Sequence, residues 1–268
     1  MLRLGSSARM GRRHISSTID ADEVRKFANL NWHAEGGGNN DAARELKKMH
    51  LTRLEALKEV LRGSTRLNAL TLGRVDGFTA LDVGCGGGLM ATSLKGELGA
   101  KRVLGIDASE SGIRSARERS LKDSLDIEYK NISPEQLDPS KEKFDLVCAL
   151  EVVEHVSDRD AFIKSCADLC RGVLVVSTMN RTLASWTLAI AAAEHVAGLV
   201  PKGTHDWRKF VNVEEIEEAV VHRRGMNVFH TEEIVKLIYN PISASWSYAK
   251  NVNESVYPMC NYMYFASV

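Results

Sequence analysis

A run of glycines between two short apolar strands sets what residues 79–107 can fold into. The run reads TALDVGCGGGLMATSLKGELGAKRVLGID. Thr79 to Val83 is short and apolar, which predicts a buried strand. Gly84-Cys85-Gly86-Gly87-Gly88 follows, and then a helix from Leu89 to Leu98. Glycine has no Cβ, so a ligand can approach the backbone closely. The free N–H groups at the helix start favour a polar or anionic group. A second strand, Arg102 to Ile106, ends in Asp107, placed to accept both hydroxyls of a ribose.

Two nucleotide cofactors fit that outline. The dinucleotide fingerprint G-x-G-x-x-G needs a third glycine for helix–strand packing. Gly84 and Gly86 fit it, but Leu89 stands at the third position. The glycines instead follow D-x-G-x-G-x-G from Asp82. That pattern resembles motif I of the class I methyltransferases, which bind S-adenosylmethionine. A carboxylate at Asp82 suits the ammonium group of that cofactor and sits badly beside a pyrophosphate. A plain glycine-rich turn and a dehydrogenase are the competing readings.

The chain has 268 residues, 44% of them hydrophobic, enough for one large domain with extensions. Its net charge is zero, so no nucleic-acid partner is expected. Cysteines 85, 148, 166, 170 and 260 form no C-x-x-C pair, which fits free thiols in a reducing compartment. Cys166 and Cys170 share a helix face and read as small buried residues rather than zinc ligands. Residues 1–19 hold four arginines, four serines and no acid. This is the composition of a mitochondrial transit peptide, and the segment is set apart from the fold, with cleavage expected near residues 14–19.

Asp20 to Trp32 and Asp41 to Leu61 read as helices over a cofactor cleft, giving an N-terminal region of residues 20–63. The second would carry Arg53 to a cofactor carboxylate, a pairing that suits a guanidinium. Ser109 caps a helix to Leu121. A third strand ends at Asn131, whose amide can pair with an adenine edge. Phe144 to Leu150 and Val173 to Thr178 follow as strands four and five. Such alternation implies an α/β fold with a mostly parallel sheet and helices on both faces. Ligands then sit at the carboxyl ends of the strands, near Gly84, Gly86, Asp107, Asn131 and Leu150.

After strand four the chain reads Glu151-Val-Val-Glu154-His155. In a helical turn these three side chains share one face. Two carboxylates and an imidazole suit a divalent cation such as Mg²⁺ or Zn²⁺, and His155 suits a general base. Residues 183–200, LASWTLAIAAAEHVAGLV, are apolar but carry Glu194 and His195, so they are not read as a membrane span. A buried helix is one reading. A lid facing a greasy substrate or a membrane surface, extending with the basic stretch to residue 210, is the other. Asn212 would cap a helix from Val213 to Arg223, with Gly225 as its stop. Strands Asn227 to Tyr239 and Tyr262 to Val268 would complete a seven-stranded sheet.

LDVGCGGG, the E-x-x-E-H after strand four, STMNRTLASW, VPKGTHDWRKF and YNP together resemble the ubiquinone-biosynthesis O-methyltransferases, from about Asp20 to the end of the chain. The resemblance implies a class I methyltransferase domain over residues 64–268. It implies methyl transfer from S-adenosylmethionine to a catechol hydroxyl of polyprenylated rings, a polyprenyl-dihydroxybenzoate and a demethylubiquinol. It carries cofactor contacts to Arg53, Gly84, Asp107 and Leu150, and a divalent metal to Glu151, Glu154 and His155. It also implies a peripheral place on the matrix side of the mitochondrial inner membrane, with residues 183–200 toward the membrane, among other proteins of the pathway. The family's L-H-x-x-N-P run has Leu46-Lys47 and His50-Leu51 in its places, and the Pro-Gly before strand five is Arg171-Gly172. Residues 35–40 are richer in glycine and asparagine than is typical. A methyltransferase with another acceptor, or a cofactor-binding structural subunit of a membrane assembly, are the alternatives.

Overall fold

A computed structural model of the chain describes residues 18–28, 41–181, 209–221, 229–240, 243, 245–250 and 261–268. The elements before the sheet are α1 (Ala21–Ala28), α2 (Asp41–Gly63) and α3 (Thr65–Leu70). Strands and helices then alternate: β1 (Thr79–Val83), α4 (Leu89–Gly96), β2 (Arg102–Ile106), α5 (Glu110–Lys122), β3 (Glu128–Lys130), β4 (Phe144–Leu150), α6 (Arg159–Asp168) and β5 (Cys170–Met179). The chain closes with α7 (Val213–Val221), β6 (His230–Asn240), β7 (Ser245–Lys250) and β8 (Asn261–Ser267).

One sheet runs in the order β3-β2-β1-β4-β5-β8-β6-β7. Its first five strands are parallel, and β8, β6 and β7 add antiparallel neighbours. The sheet therefore has eight strands, not the expected seven. The added one, β7, pairs with β6 just past Asn240. Its sequence, SWSYAK, is too polar to announce a buried strand, because this hairpin lies at the sheet edge.

Alternation along each strand sends successive side chains to opposite faces. On one face Ala80, Val103, Leu146 and Val173 pack with Leu57 and Leu61 of α2, Leu94 of α4 and Ile113 of α5. On the other, Leu81, Leu104, Val147 and Tyr264 pack with Phe162 of α6 and Ile216 of α7. Cys166 and Cys170 lie in this second layer as buried free thiols.

At the amino end of the sheet, Asp145 ties three strand starts together. It accepts from Thr79 N at 2.8 Å and Thr79 Oγ1 at 2.9 Å, and from Arg171 Nε and Nη2 at 2.9 and 3.0 Å. Burial alone would raise its carboxyl pKa, but Arg171 and Thr79 hold it below the usual range. Arg171 is thus a working partner at the start of β5.

Two boundaries differ from expectation. Thr18 is 1% exposed, and its carbonyl accepts from Ser157 N at 2.9 Å. Ile19 bridges Val156. Residues 18 and 19 therefore pack against the fold, inside the expected cleavage window of residues 14–19. Asn212 precedes α7, but its side-chain oxygen accepts from Arg181 N at 3.2 Å. Glu215 instead reaches back to Asn212 N at 2.8 Å, the return half of a capping box. Gly225 and residues 183–208 lie outside the described residues.

Candidate active site

A cleft of about 350 Å³ opens at the carboxyl ends of β1, β2 and β4. The turn after β1 forms its floor. Gly84 sits there at φ +69, and a Cβ on it would stand 2.3 Å from Val152. Glycine is required at that position on both counts. Gly86 donates its N–H to Asp107 Oδ2 at 2.8 Å, and Ser109 N donates to Asp107 Oδ1 at 2.6 Å. Burial raises the Asp107 carboxyl pKa, and those two N–H groups counter it. Each Asp107 oxygen keeps a second lone pair, as two ribose hydroxyls require.

Two buried polar atoms in the cleft have no hydrogen-bond partner, Asp82 Oδ2 and Arg53 Nε. Asp82 is 2% exposed, and burial pushes its carboxyl up to about 8. An unsatisfied buried group of this kind costs about 1–3 kcal/mol, more if charged. One opposed carboxylate and guanidinium match the ammonium and carboxylate of an amino acid. The empty valences of Asp82 and Arg53 therefore fit the methionine end of S-adenosylmethionine.

Comparison with known proteins agrees with this geometry. A model described as a methyltransferase domain matches residues 80–172. A ubiquinone biosynthesis O-methyltransferase of Rhodopseudomonas palustris strain TIE-1 is 36% identical over 240 residues, 89% of this chain and 91% of that one. That of Bartonella quintana is 34% identical, covering 88% and 94%. The chain belongs to the ubiquinone biosynthesis O-methyltransferases. It is a methyltransferase dependent on S-adenosylmethionine. Among solved structures, magnesium protoporphyrin IX methyltransferase from Synechocystis, with bound SAH, superposes with a TM-score of 0.59 over 92% of this chain and 93% of that one. At 19% identity it shows the class I fold alone.

Within this methyltransferase, Arg53, Gly84, Gly86, Asp107 and Leu150 all line the cleft. Asn131 does not. Its amide donates to the Asp107 carbonyl at 2.8 Å, and Ile132 and Ser133 line the wall in its place. His50 also lines the cleft, with Nε2 3.0 Å from Ser93 Oγ. Burial first, and then the Arg53 charge, lower its pKa to about 4, so it is neutral.

Glu151, Glu154 and His155 do not share one helical face. Glu151 has φ 57, a left-handed backbone that ends the strand sharply. A short 3₁₀ turn, Val153–His155, comes only after it. Glu151 pairs with Arg53 at 3.0 Å and accepts from Ser177 Oγ at 2.9 Å and Asn261 Nδ2 at 3.1 Å. Glu154 accepts from Thr178 Oγ1 at 2.9 Å. Burial and the Glu151 carboxylate raise its pKa. His155 turns its Nδ1 to Glu23 Oε2 at 3.0 Å. Among the described residues, no three His, Cys, Asp or Glu side chains are arranged to hold a metal ion. The two crowded carboxylates have the right chemistry for a hard cation, but the imidazole does not converge on them.

Glu23, Ser177 and Asn261 were not expected beside the site. Ser177 opens the STMNRTLASW run, which assigned it no role, and Asn261 is a polar residue opening the apolar run 261–268.

Proposed function

We propose that the enzyme methylates a catechol hydroxyl of polyprenylated ring intermediates in ubiquinone formation, with His155 as the base. The observation that carries the cofactor half is the pair of unpartnered buried atoms, Asp82 Oδ2 and Arg53 Nε. The acceptor half is supported by the relatives' name and by His155 on the same cleft wall.

The bound sulfonium supplies the methyl group. A phenol has a pKa near about 10, so about one in 10³ is ionised at neutral pH. His155 takes the hydroxyl proton as the oxygen–carbon bond forms and the carbon–sulfur bond breaks. Such base catalysis is worth about 10²–10⁴-fold. Arg53, Asp82 and Asp107 hold the cofactor still, so that the remaining task is in-line placement. Glu151 and Glu154, whose carboxylates crowd together while the His155 imidazole turns to Glu23, are the candidates to hold Mg²⁺ or Zn²⁺, which would lower the phenol pKa.

The reading extends to place and company: the matrix face of the mitochondrial inner membrane, beside other proteins of the pathway. Its support is the basic, acid-free residues 1–17 ahead of the fold and the apolar run 183–200. No helix among the described residues is long and apolar enough to cross a membrane.

The test is methyl transfer from labelled S-adenosylmethionine to a short-chain prenylated dihydroxybenzoate, with and without chelator. Transfer lost with chelator supports the metal reading. Transfer that ignores chelator leaves His155 acting alone. No transfer in either condition, with cofactor bound, overturns the acceptor.

A further inference from the structure

His50 lines the cleft one turn before Arg53 on α2, and it is 8% exposed. Its Nε2 is 3.0 Å from Ser93 Oγ on α4. Ser93 in turn donates to Glu97 Oε1 at 3.2 Å, and Lys58 Nζ donates to Glu97 Oε2 at 2.8 Å. The Lys58 ammonium holds the Glu97 carboxyl below its ordinary pKa, so Glu97 is a carboxylate.

These contacts fix the tautomer of the ring. A hydroxyl has one proton to give, and a carboxylate accepts hydrogen bonds and donates none. The Ser93 proton is committed to Glu97, so Ser93 Oγ accepts from His50. Nε2 therefore carries the imidazole proton, and Nδ1 keeps its lone pair. Burial and the Arg53 charge hold the ring neutral, so that lone pair is present at neutral pH.

His50 shares its surroundings with the two unpartnered atoms of the cleft. Arg53 Nε is one turn along the same helix. Asp82 Oδ2 is the other, and α4, which anchors His50 through Ser93, also turns the Ala91 N–H to the Asp82 carboxyl. An α-ammonium has three N–H donors, and Asp82 Oδ2 answers one of them. A second carboxylate there would repel Asp82, whereas a neutral imidazole does not.

We propose that His50 Nδ1 accepts a second hydrogen bond from the α-ammonium of S-adenosylmethionine, with Ser93 and Glu97 fixing the ring's tautomer. The assignment rests on the reading of Asp82 and Arg53 as the holders of the methionine end.

The test measures calorimetric Kd values of the full chain for S-adenosylhomocysteine and for an analogue lacking only its α-amino group. The variants are His50→Gln, His50→Asn and Asp82→Asn. Glutamine keeps an N–H for Ser93 but has no acceptor where Nδ1 stood. Asparagine keeps an acceptor there but falls short of Ser93. A hydrogen bond to a charged group is worth about 10–100-fold in affinity. His50→Gln is expected to weaken S-adenosylhomocysteine by that factor and to leave the des-amino analogue unchanged. His50→Asn is expected to recover part of the loss. Equal weakening of both ligands by His50→Gln overturns the contact, in favour of a structural joint between α2 and α4. Unchanged affinity for both also overturns it. If Asp82→Asn discriminates between the two ligands and His50→Gln does not, the His50 contact alone falls. If Asp82→Asn weakens both alike, the placement of the methionine end falls, and His50 with it.

Discussion

Arg53 on α2 and Glu151 at the end of β4 meet at 3.0 Å, and Glu151 holds that position with its backbone at φ 57. The ion pair is buried, with side-chain exposures of 7% and 13%. Arg53 thus braces the strand end while its Nε stays unpartnered on the cofactor cleft. A hydrogen bond to a charged group is worth about 1.5–3 kcal/mol. Arg53→Met should therefore weaken S-adenosylmethionine by about 10–100-fold, as read by calorimetry. An unchanged Kd would assign Arg53 to Glu151 alone.

Asp82 gives cofactor binding a pH signature. Its carboxyl is pushed up to about 8, so it is protonated in the empty cleft at neutral pH. Pairing with an ammonium requires the carboxylate, so binding releases a proton below pH 8 and affinity rises with pH. Above about 8 the cofactor's own amino group loses its proton, near its ordinary 7.7–8.0. Affinity should peak near pH 8. Calorimetric enthalpies at pH 7 should scale with the ionisation enthalpy of the buffer. Asp82→Asn should abolish the rising limb.

His50 links acidity to stability. Unfolded, it takes up a proton near pH 6.5, but folded only near about 4. Its contribution is intact above pH 6.5 and is lost as pH falls toward 4. A shift of this size is worth about 3 kcal/mol. Denaturant midpoints of the wild type should fall more steeply over this window than those of His50→Gln.

Gly172 tests the close approach of β4 and β5. A Cβ there would stand 2.3 Å from the Asp145 carbonyl oxygen. Backbone cannot swing aside as a side chain does. Gly172→Ala should destabilise the fold by about 2–3 kcal/mol, seen as a lower Tm. Cofactor Kd, measured well below the transition, should not change.

The contacts of Thr18 and Ile19 predict where the chain can be shortened. A chain starting at Ser16 keeps both residues and should retain the full Tm. One starting at Asp20 loses the Ser157 and Val156 contacts and should show a lower Tm. Equal Tm for the two would remove residues 18 and 19 from the fold's support.

Residues 79–178 were legible because buried parallel strands are continuous apolar runs, and because glycines mark the ligand turn. FDLVCAL matches β4 residue for residue. The cleft residues on that frame followed from strand ends alone, as Gly84, Asp107 and Leu150 show. The side chains beyond β4 did not. Their spacing promised one helical face, but that inference assumes right-handed backbone from Glu151 onward. Glu151 adopts the left-handed region, which nothing in a glutamate announces. One residue's φ therefore sends Glu151 to Arg53, Glu154 to Thr178 and His155 to Glu23. Asn131 shows another use of a strand end: its amide donates to its neighbour's backbone, the Asp107 carbonyl.

The seven residues of β8 lie between β5 and β6, in the middle of the sheet, and Asn261 at their start holds Glu151. Order of synthesis then has a consequence. Until residues 261–267 are made, β5 has an open edge, β6 and β7 have no sheet to join, and Glu151 lacks its Asn261 contact. A chain stalled before residue 261 therefore has a sheet split at β5. Termination just ahead of β8 should be as damaging to the fold as termination well before it.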